Sequence, residues 1–242
     1  HAHWNDGTDP VYALAQSCNV FFFQLAEAMG EPGLRRALYR FGMLPAGAGD
    51  GDGRYQPRPA ELPPGQSPAP RWIVEPQGLP MRGIGYSLAA NPLAIARAYA
   101  ALATGALPTL GFVAGEARPS YSLGASIEEL GVVREGLRAC VESGTAEKIP
   151  ELARFGVLGK TGTAEIRLDG RDANNAWFAG YVPPSQNGMQ LAFCAVVYAV
   201  PDKVHGADAA GSCVAHVLEA IARDARLAGL YLAPGAGREE GR

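Results

Sequence analysis

Apolar positions run from Val11 to Met29, are broken midway by Gln16-Ser17-Cys18-Asn19, and stop at Gly30. The four polar residues are poor interior helix formers, so the pattern predicts two short helices with a polar corner between them. Asp9-Pro10 opens the first, with Asp as N-cap and Pro at the first helical position. A third helix is predicted over about Pro32 to Phe41, with Leu34, Leu38 and Phe41 at helical spacing. Asn91-Pro92 repeats the start signal for a helix ended by Gly105, and its Ala94, Ala98 and Ala101 predict close packing. Ser126-Ile127-Glu128-Glu129 is a capping box for a helix reaching Val141.

In the last third the periodicity turns to that of strands. Phe155 to Ile166, Ala176 to Val182 and Met189 to Val200 read as three strands, with Leu168-Asp169-Gly170-Arg171 as the first turn. Ala207 to Leu227 then reads as one long amphipathic helix, with Val214, Val217, Leu218 and Ile221 on one face. Helices, an antiparallel meander and a covering helix make an α+β arrangement. Positions 44–80 stand apart, rich in Pro and Gly, and are expected to form an irregular surface excursion within 1–242, which reads as part of one domain.

Composition adds little beyond exclusions. The 242 residues are 48% hydrophobic and 19% charged, an ordinary globular balance. A net charge of −3 gives no reason to expect nucleic acid or an anionic membrane as partner. No stretch approaches the length of a bilayer span. Cys18, Cys140, Cys194 and Cys213 show no paired spacing, and Cys194 and Cys213 sit in apolar sequence that predicts core positions. The four histidines show no ligand spacing, so no metal or other cofactor is expected.

The candidate chemistry lies in two places. Lys160-Thr161-Gly162-Thr163 puts an ammonium, two hydroxyls and a bare glycine into a predicted strand. Each of those polar groups needs a partner if buried, and together they suit a carboxylate and an extended peptide. A bare Lys-Thr-Gly alone reads as a turn or solvated edge. Ser17 and Asn19 in the polar corner read alone as capping residues. Placed beside Lys160, they become a proton relay with an amide to orient substrate.

Taken together, the motifs resemble those of penicillin-binding transpeptidases, class B-like members of the serine D,D-transpeptidase and β-lactamase-like superfamily. Ser17-Cys18-Asn19 with Val20-Phe21-Phe22-Phe23 resembles the family's second motif, and Gly159-Lys160-Thr161-Gly162-Thr163-Ala164 its third. Glu61-Leu62-Pro63-Pro64-Gly65, Asn91-Pro92-Leu93-Ala94, Ser143-Gly144-Thr145-Ala146 and Ala176-Trp177-Phe178-Ala179-Gly180-Tyr181 follow in register. Ile84-Gly85-Tyr86-Ser87 and Ala103-Thr104-Gly105-Ala106 depart from the usual pattern without touching a catalytic group. The larger departure is that no Ser-x-x-Lys, the family's nucleophile motif, occurs in the sequence.

The resemblance implies a fragment cut after the nucleophile, leaving an incomplete domain with three strands. Phe21, Phe22 and Phe23 are the expected lining of the surface so opened. It implies an extracytoplasmic enzyme, anchored by a segment outside this chain, that cross-links peptidoglycan stem peptides through a serine acyl-enzyme and is a target of β-lactams. Partners would be a D-Ala-D-Ala donor, an amine acceptor and the cell-wall synthesis machinery. Ser17 would pass the proton, Lys160 hold the field, Asn19 bind the donor amide, and Thr161, Gly162 and Thr163 take the terminal carboxylate and peptide. A non-catalytic penicillin sensor, a scaffold, a D,D-carboxypeptidase and a β-lactamase are the alternatives. One geometric condition follows: strand alternation sets Lys160 and Thr161 on opposite faces, so a shared cleft requires an edge strand.

Overall fold

The computed structural model describes residues 9–43, 71–72, 78–86, 88–111 and 119–237. Most of the Pro/Gly-rich excursion at 44–80, with Glu61-Leu62-Pro63-Pro64-Gly65 and Ser87, lies outside the described residues. The chain divides into two units, Cys18–Leu130 and a second made of His1–Ser17 with Gly131–Arg242.

The unit Cys18–Leu130 begins with α2 (Asn19–Arg40), which follows α1 (Pro10–Ala15) in the chain. Gly30, at φ 66°, breaks α2 into the two predicted helices. On its first half Val20, Leu25 and Met29 are exposed, whereas Phe21, Phe22 and Phe23 are half-buried, so the expected aromatic surface is not the open one. Two-residue strands β1 (Arg71–Trp72) and β2 (Leu88–Ala89) pair antiparallel on either side of α3 (Leu79–Gly83). A Cβ at Gly83 would lie 2.5 Å from that of Ala26, which is how closely α3 meets α2. Helix α4 (Pro92–Thr104) starts where predicted, Asn91 Oδ1 accepting from the Ala94 N–H at 2.8 Å. Strands β3 (Ala106–Pro108) and β4 (Ser120–Ser122) form a second ribbon. Ala101, Leu107, Leu123 and Leu130 make this unit's small core. The capping box of α5 (Ile127–Glu142) is reciprocal: the Glu129 N–H donates to Ser126 Oγ at 3.1 Å, and the Ser126 N–H to Glu129 Oε2 at 2.7 Å.

The other unit holds the main sheet. After the short α6 (Pro150–Arg154) come β5 (Leu158–Leu168), β6 (Arg171–Tyr181) and β7 (Ala192–Pro201), antiparallel in that order. Asp169 and Gly170, at φ 49° and 76°, form the tight turn between β5 and β6. One face carries Phe178, stacked on Phe193 at 6.0 Å, and is covered by Ala207, Val214 and Leu218. Cys140, Val141, Leu152 and Phe155 complete that core. Phe155 therefore belongs to the end of α6 rather than to the strand predicted to start there. The long C-terminal helix is not continuous: a π-helical turn (Ala207–Gly211) leads into α7 (Ser212–Arg223), and α8 (Ala225–Tyr231) follows. Asp224 causes the break by capping α8, its Oδ1 accepting from Arg226 N and Leu227 N at 2.9 and 3.0 Å. Among the cysteines Cys140 is fully buried but Cys213 is exposed on α7, so the core expectation for Cys213 fails.

Candidate active site

Two polar clusters 143 positions apart meet in the unit of the main sheet. Ser17 follows α1 at the corner with φ 54°. That left-handed conformation costs a residue with a Cβ about 1–3 kcal/mol and persists only where the surroundings enforce it. Neither Ser17 nor Asn19 serves as the cap of α2, because Cys18 occupies that position and makes no side-chain cap hydrogen bond. Asn19 is exposed at the first position of α2, in the unit Cys18–Leu130.

Lys160 Nζ donates to Ser17 Oγ. Its other two acceptors are Thr161 O at 3.0 Å and Thr161 Oγ1 at 3.2 Å, so all three ammonium protons have partners. Among the described residues no carboxylate pairs with it. Burial among neutral groups holds Lys160 below its ordinary value of 10.5, while the Cys140 sulfur on α5 pulls weakly the other way.

The edge-strand condition is met. Among the described residues β5 pairs only with β6, leaving its outer rim open. Lys160 starts on the face opposite Thr161, and its stem wraps round that rim to bring Nζ onto the Thr161 hydroxyl. Thr161 Oγ1 also lies 2.6 Å from Thr145 Oγ1. Thr163 is exposed, and its Oγ1 accepts from the Gly206 N–H at 3.2 Å. Gly162 separates the two threonines, and a Cβ there would press on Trp177 Cβ at 3.3 Å. Beneath this stretch Gly206 sits against the sheet itself, since its own Cβ would lie 2.3 Å from Gly162 O and 2.5 Å from Trp177 O. The loop leading to Gly206 is held by buried Asn174, whose Nδ2 donates to Asp202 O at 2.7 Å.

Sequence reasoning missed Thr145 and Gly206 as parts of this site. Ser143-Gly144-Thr145 stood out only as a family signature, and Gly206 carried no signal beyond being glycine. Both contacts are tertiary.

Helices grouped with an antiparallel sheet, in this order and with a lysine-bearing edge strand, define the architecture of penicillin-binding transpeptidase domains. The family model described as the penicillin binding protein transpeptidase domain matches residues 1–222, and the chain belongs to that family. Solved structures agree on the fold. The transpeptidase domain of Burkholderia pseudomallei penicillin-binding protein 3 is 20% identical at a TM-score of 0.65, the match covering 88% of this chain and 63% of that one. Helicobacter pylori PBP2, in its complex with MreC, is 20% identical at a TM-score of 0.64, over 86% of this chain and 39% of that one. The D,D-transpeptidase domain of an Eggerthella lenta peptidoglycan glycosyltransferase is 19% identical at 0.56, over 87% and 53%. The chain therefore spans less than two thirds of the length of these relatives. No curated protein matches the sequence.

Proposed function

We propose that this chain is the C-terminal part of a peptidoglycan D,D-transpeptidase domain and carries the proton-handling and carboxylate-binding half of its site. The hydrogen bond from Lys160 to Ser17 is the observation that carries this reading. It joins Ser17 to Lys160, from the segments that resemble the family's second and third motifs, at the open rim of β5, where an extended stem peptide would add alongside.

In this mechanism a serine supplied from outside these 242 residues attacks the penultimate D-Ala carbonyl. A new C–O bond forms as the D-Ala-D-Ala C–N bond breaks, and the terminal D-Ala leaves as its amine. Ser17 passes the proton to that amine, with the Lys160 charge held against its hydroxyl. Asn19 hydrogen-bonds the donor amide. Thr161 and Thr163 take the terminal carboxylate, and the Thr163 N–H serves the oxyanion, a contact whose loss typically costs about 3–4 kcal/mol of transition-state stabilisation. The amine of a second stem then attacks the ester and frees the serine. β-Lactams would be trapped at the ester stage. The whole protein would work outside the cytoplasm, held by an anchor beyond this chain, alongside cell-wall machinery such as the MreC bound by the H. pylori protein.

A second reading is a penicillin sensor or scaffold without turnover, because the Ser17–Lys160 pair on the open rim of β5 can hold a penicillin or a stem peptide whether or not turnover follows. Fluorescent penicillin separates the two. The whole protein should form a covalent adduct and cross-link stem peptides, and Lys160→Ala should abolish both. An adduct without cross-linking selects the sensor, and no adduct at all removes the enzyme.

A further inference from the structure

Ser143-Gly144-Thr145 has no part in the chemistry above, yet it touches the chain neighbours of both members of the Ser17–Lys160 pair, Ala15 and Gln16 on one side and Thr161 on the other. On one side it grips the two residues just before Ser17. The Thr145 N–H donates to Ala15 O at 3.2 Å, and Gln16 Nε2 donates to Ser143 O at 3.1 Å. Gly144 lies so close beneath them that a Cβ would fall 2.5 Å from Ala15 O. On the other side Thr145 Oγ1 lies 2.6 Å from Thr161 Oγ1, the hydroxyl that also accepts from Lys160. Behind Thr145 stands the fully buried Cys140, its Sγ 3.2 Å from the same Oγ1.

We infer that Ser143-Gly144-Thr145 is a bracket, with Thr145 its positioning residue, that sets the distance between the Ser17 hydroxyl and the Lys160 ammonium. Three facts give it that capacity. It is the point where the backbone before Ser17 and the side chain after Lys160 share one residue. It fixes the corner in which Ser17 is held at φ 54°, a conformation serine does not choose unaided. It also ties the hydroxyls to the core, since Cys140 Sγ and Thr145 Oγ1, and Thr145 Oγ1 and Thr161 Oγ1, lie within hydrogen-bonding reach with either atom of each pair able to donate. What the pair does rests on the proposed transpeptidase function; what holds the pair rests on the geometry alone.

Thr145→Val removes the hydroxyl at nearly constant volume, Thr145→Ser keeps it, and Gln16→Ala releases the α1 side from an exposed position. The first readout is the Lys160 titration, followed by NMR of the lysine side chain, which needs no substrate. Thr145→Val should move its midpoint up toward 10.5 as the amine leaves its desolvated seat, and Thr145→Ser should not. The second is the rate at which fluorescent penicillin labels the whole protein, which carries the serine. A misplacement of about 1 Å costs on the order of 100-fold, so Thr145→Val should slow labelling by roughly 10- to 100-fold and Thr145→Ser by less than about threefold. An unchanged midpoint and rate in Thr145→Val overturn the bracket. Should that variant fail to fold, Gln16→Ala decides by the same two readouts, and equality with the parent protein overturns it. If the parent takes no label, the transpeptidase reading falls, and the Lys160 midpoint alone settles the bracket.

Discussion

An ammonium buried against neutral oxygens leaves a pH signature. Lys160 titrates below 10.5 in the folded chain and at its ordinary value when unfolded. Below the folded value both states are charged, and the cost of burying the charge is fully present. Between the two values the native lysine is neutral while the unfolded one still binds a proton, so stability rises with pH across that window. Urea midpoints from neutral pH to 10.5 should therefore climb for the parent relative to Lys160→Met. A constant difference between the two would show that the lysine is not desolvated. The thiols provide a second contrast at this scale. Burial pushes Cys194 up to about 11, whereas Cys213 is exposed on α7. A disulfide reagent at mildly alkaline pH should modify Cys213 rapidly and the half-buried Cys194 far more slowly, because the thiolate is the reacting form.

Among the elements, β7 stores strain that can be relieved. Asn174 pairs with Val200 and Ala176 with Val197, so Tyr198 and Ala199 together oppose Asn175 in a bulge. Ala199 takes φ 54° there, and its N–H donates to Asn175 Oδ1 at 3.1 Å. Ala199→Gly should stabilise the protein by about 1 kcal/mol, since glycine carries no Cβ penalty in that conformation. An unfolding midpoint equal to or below the parent's would contradict the assignment. The elements read correctly from sequence are those whose ends carry their own chemistry: Asn91 before α4, the Ser126–Glu129 box, and the Asp169-Gly170 turn. The C-terminal helix was misread because Val214, Leu218 and Ile221 keep one apolar stripe up to Asp224, which interrupts the backbone, while Val217, expected on the same face, is exposed. Asp224 is itself a start signal, masked by that stripe. The short strands β2 to β4 were missed for want of length, two or three residues being too few to show alternation, and β1 was legible only as a short ordered patch at Arg71-Trp72-Ile73-Val74.

For the molecule as a whole, the decisive fact is that one unit is assembled from separated stretches, His1–Ser17 and Gly131–Arg242. The clasp between them is narrow at Gly144, where any side chain meets the Ala15 carbonyl. Gly144→Ala should cost about 1–3 kcal/mol, as overpacking against backbone does, and should lower the thermal midpoint accordingly. A variant as stable as the parent would mean that α1 is held elsewhere. Ser17, Lys160 and Thr161, the candidate residues that meet, were legible because the Ser-x-Asn and Lys-Thr-Gly motifs are short and local. Thr145 was not, because its meaning depends on Thr161 and Ala15, which no periodicity brings together.

Gly206 has a practical consequence for anyone redesigning this surface. With two carbonyl oxygens where its side chain would start, it leaves no room for diversity in a library, and any substitution there would lift the strand that bears Lys160. The tip at Asp169-Gly170 is the opposite case, since a Cβ on Gly170 meets nothing within 4 Å. A reporter grafted at that tip would leave the rim of β5 undisturbed, and one placed four residues past Asp202 would not.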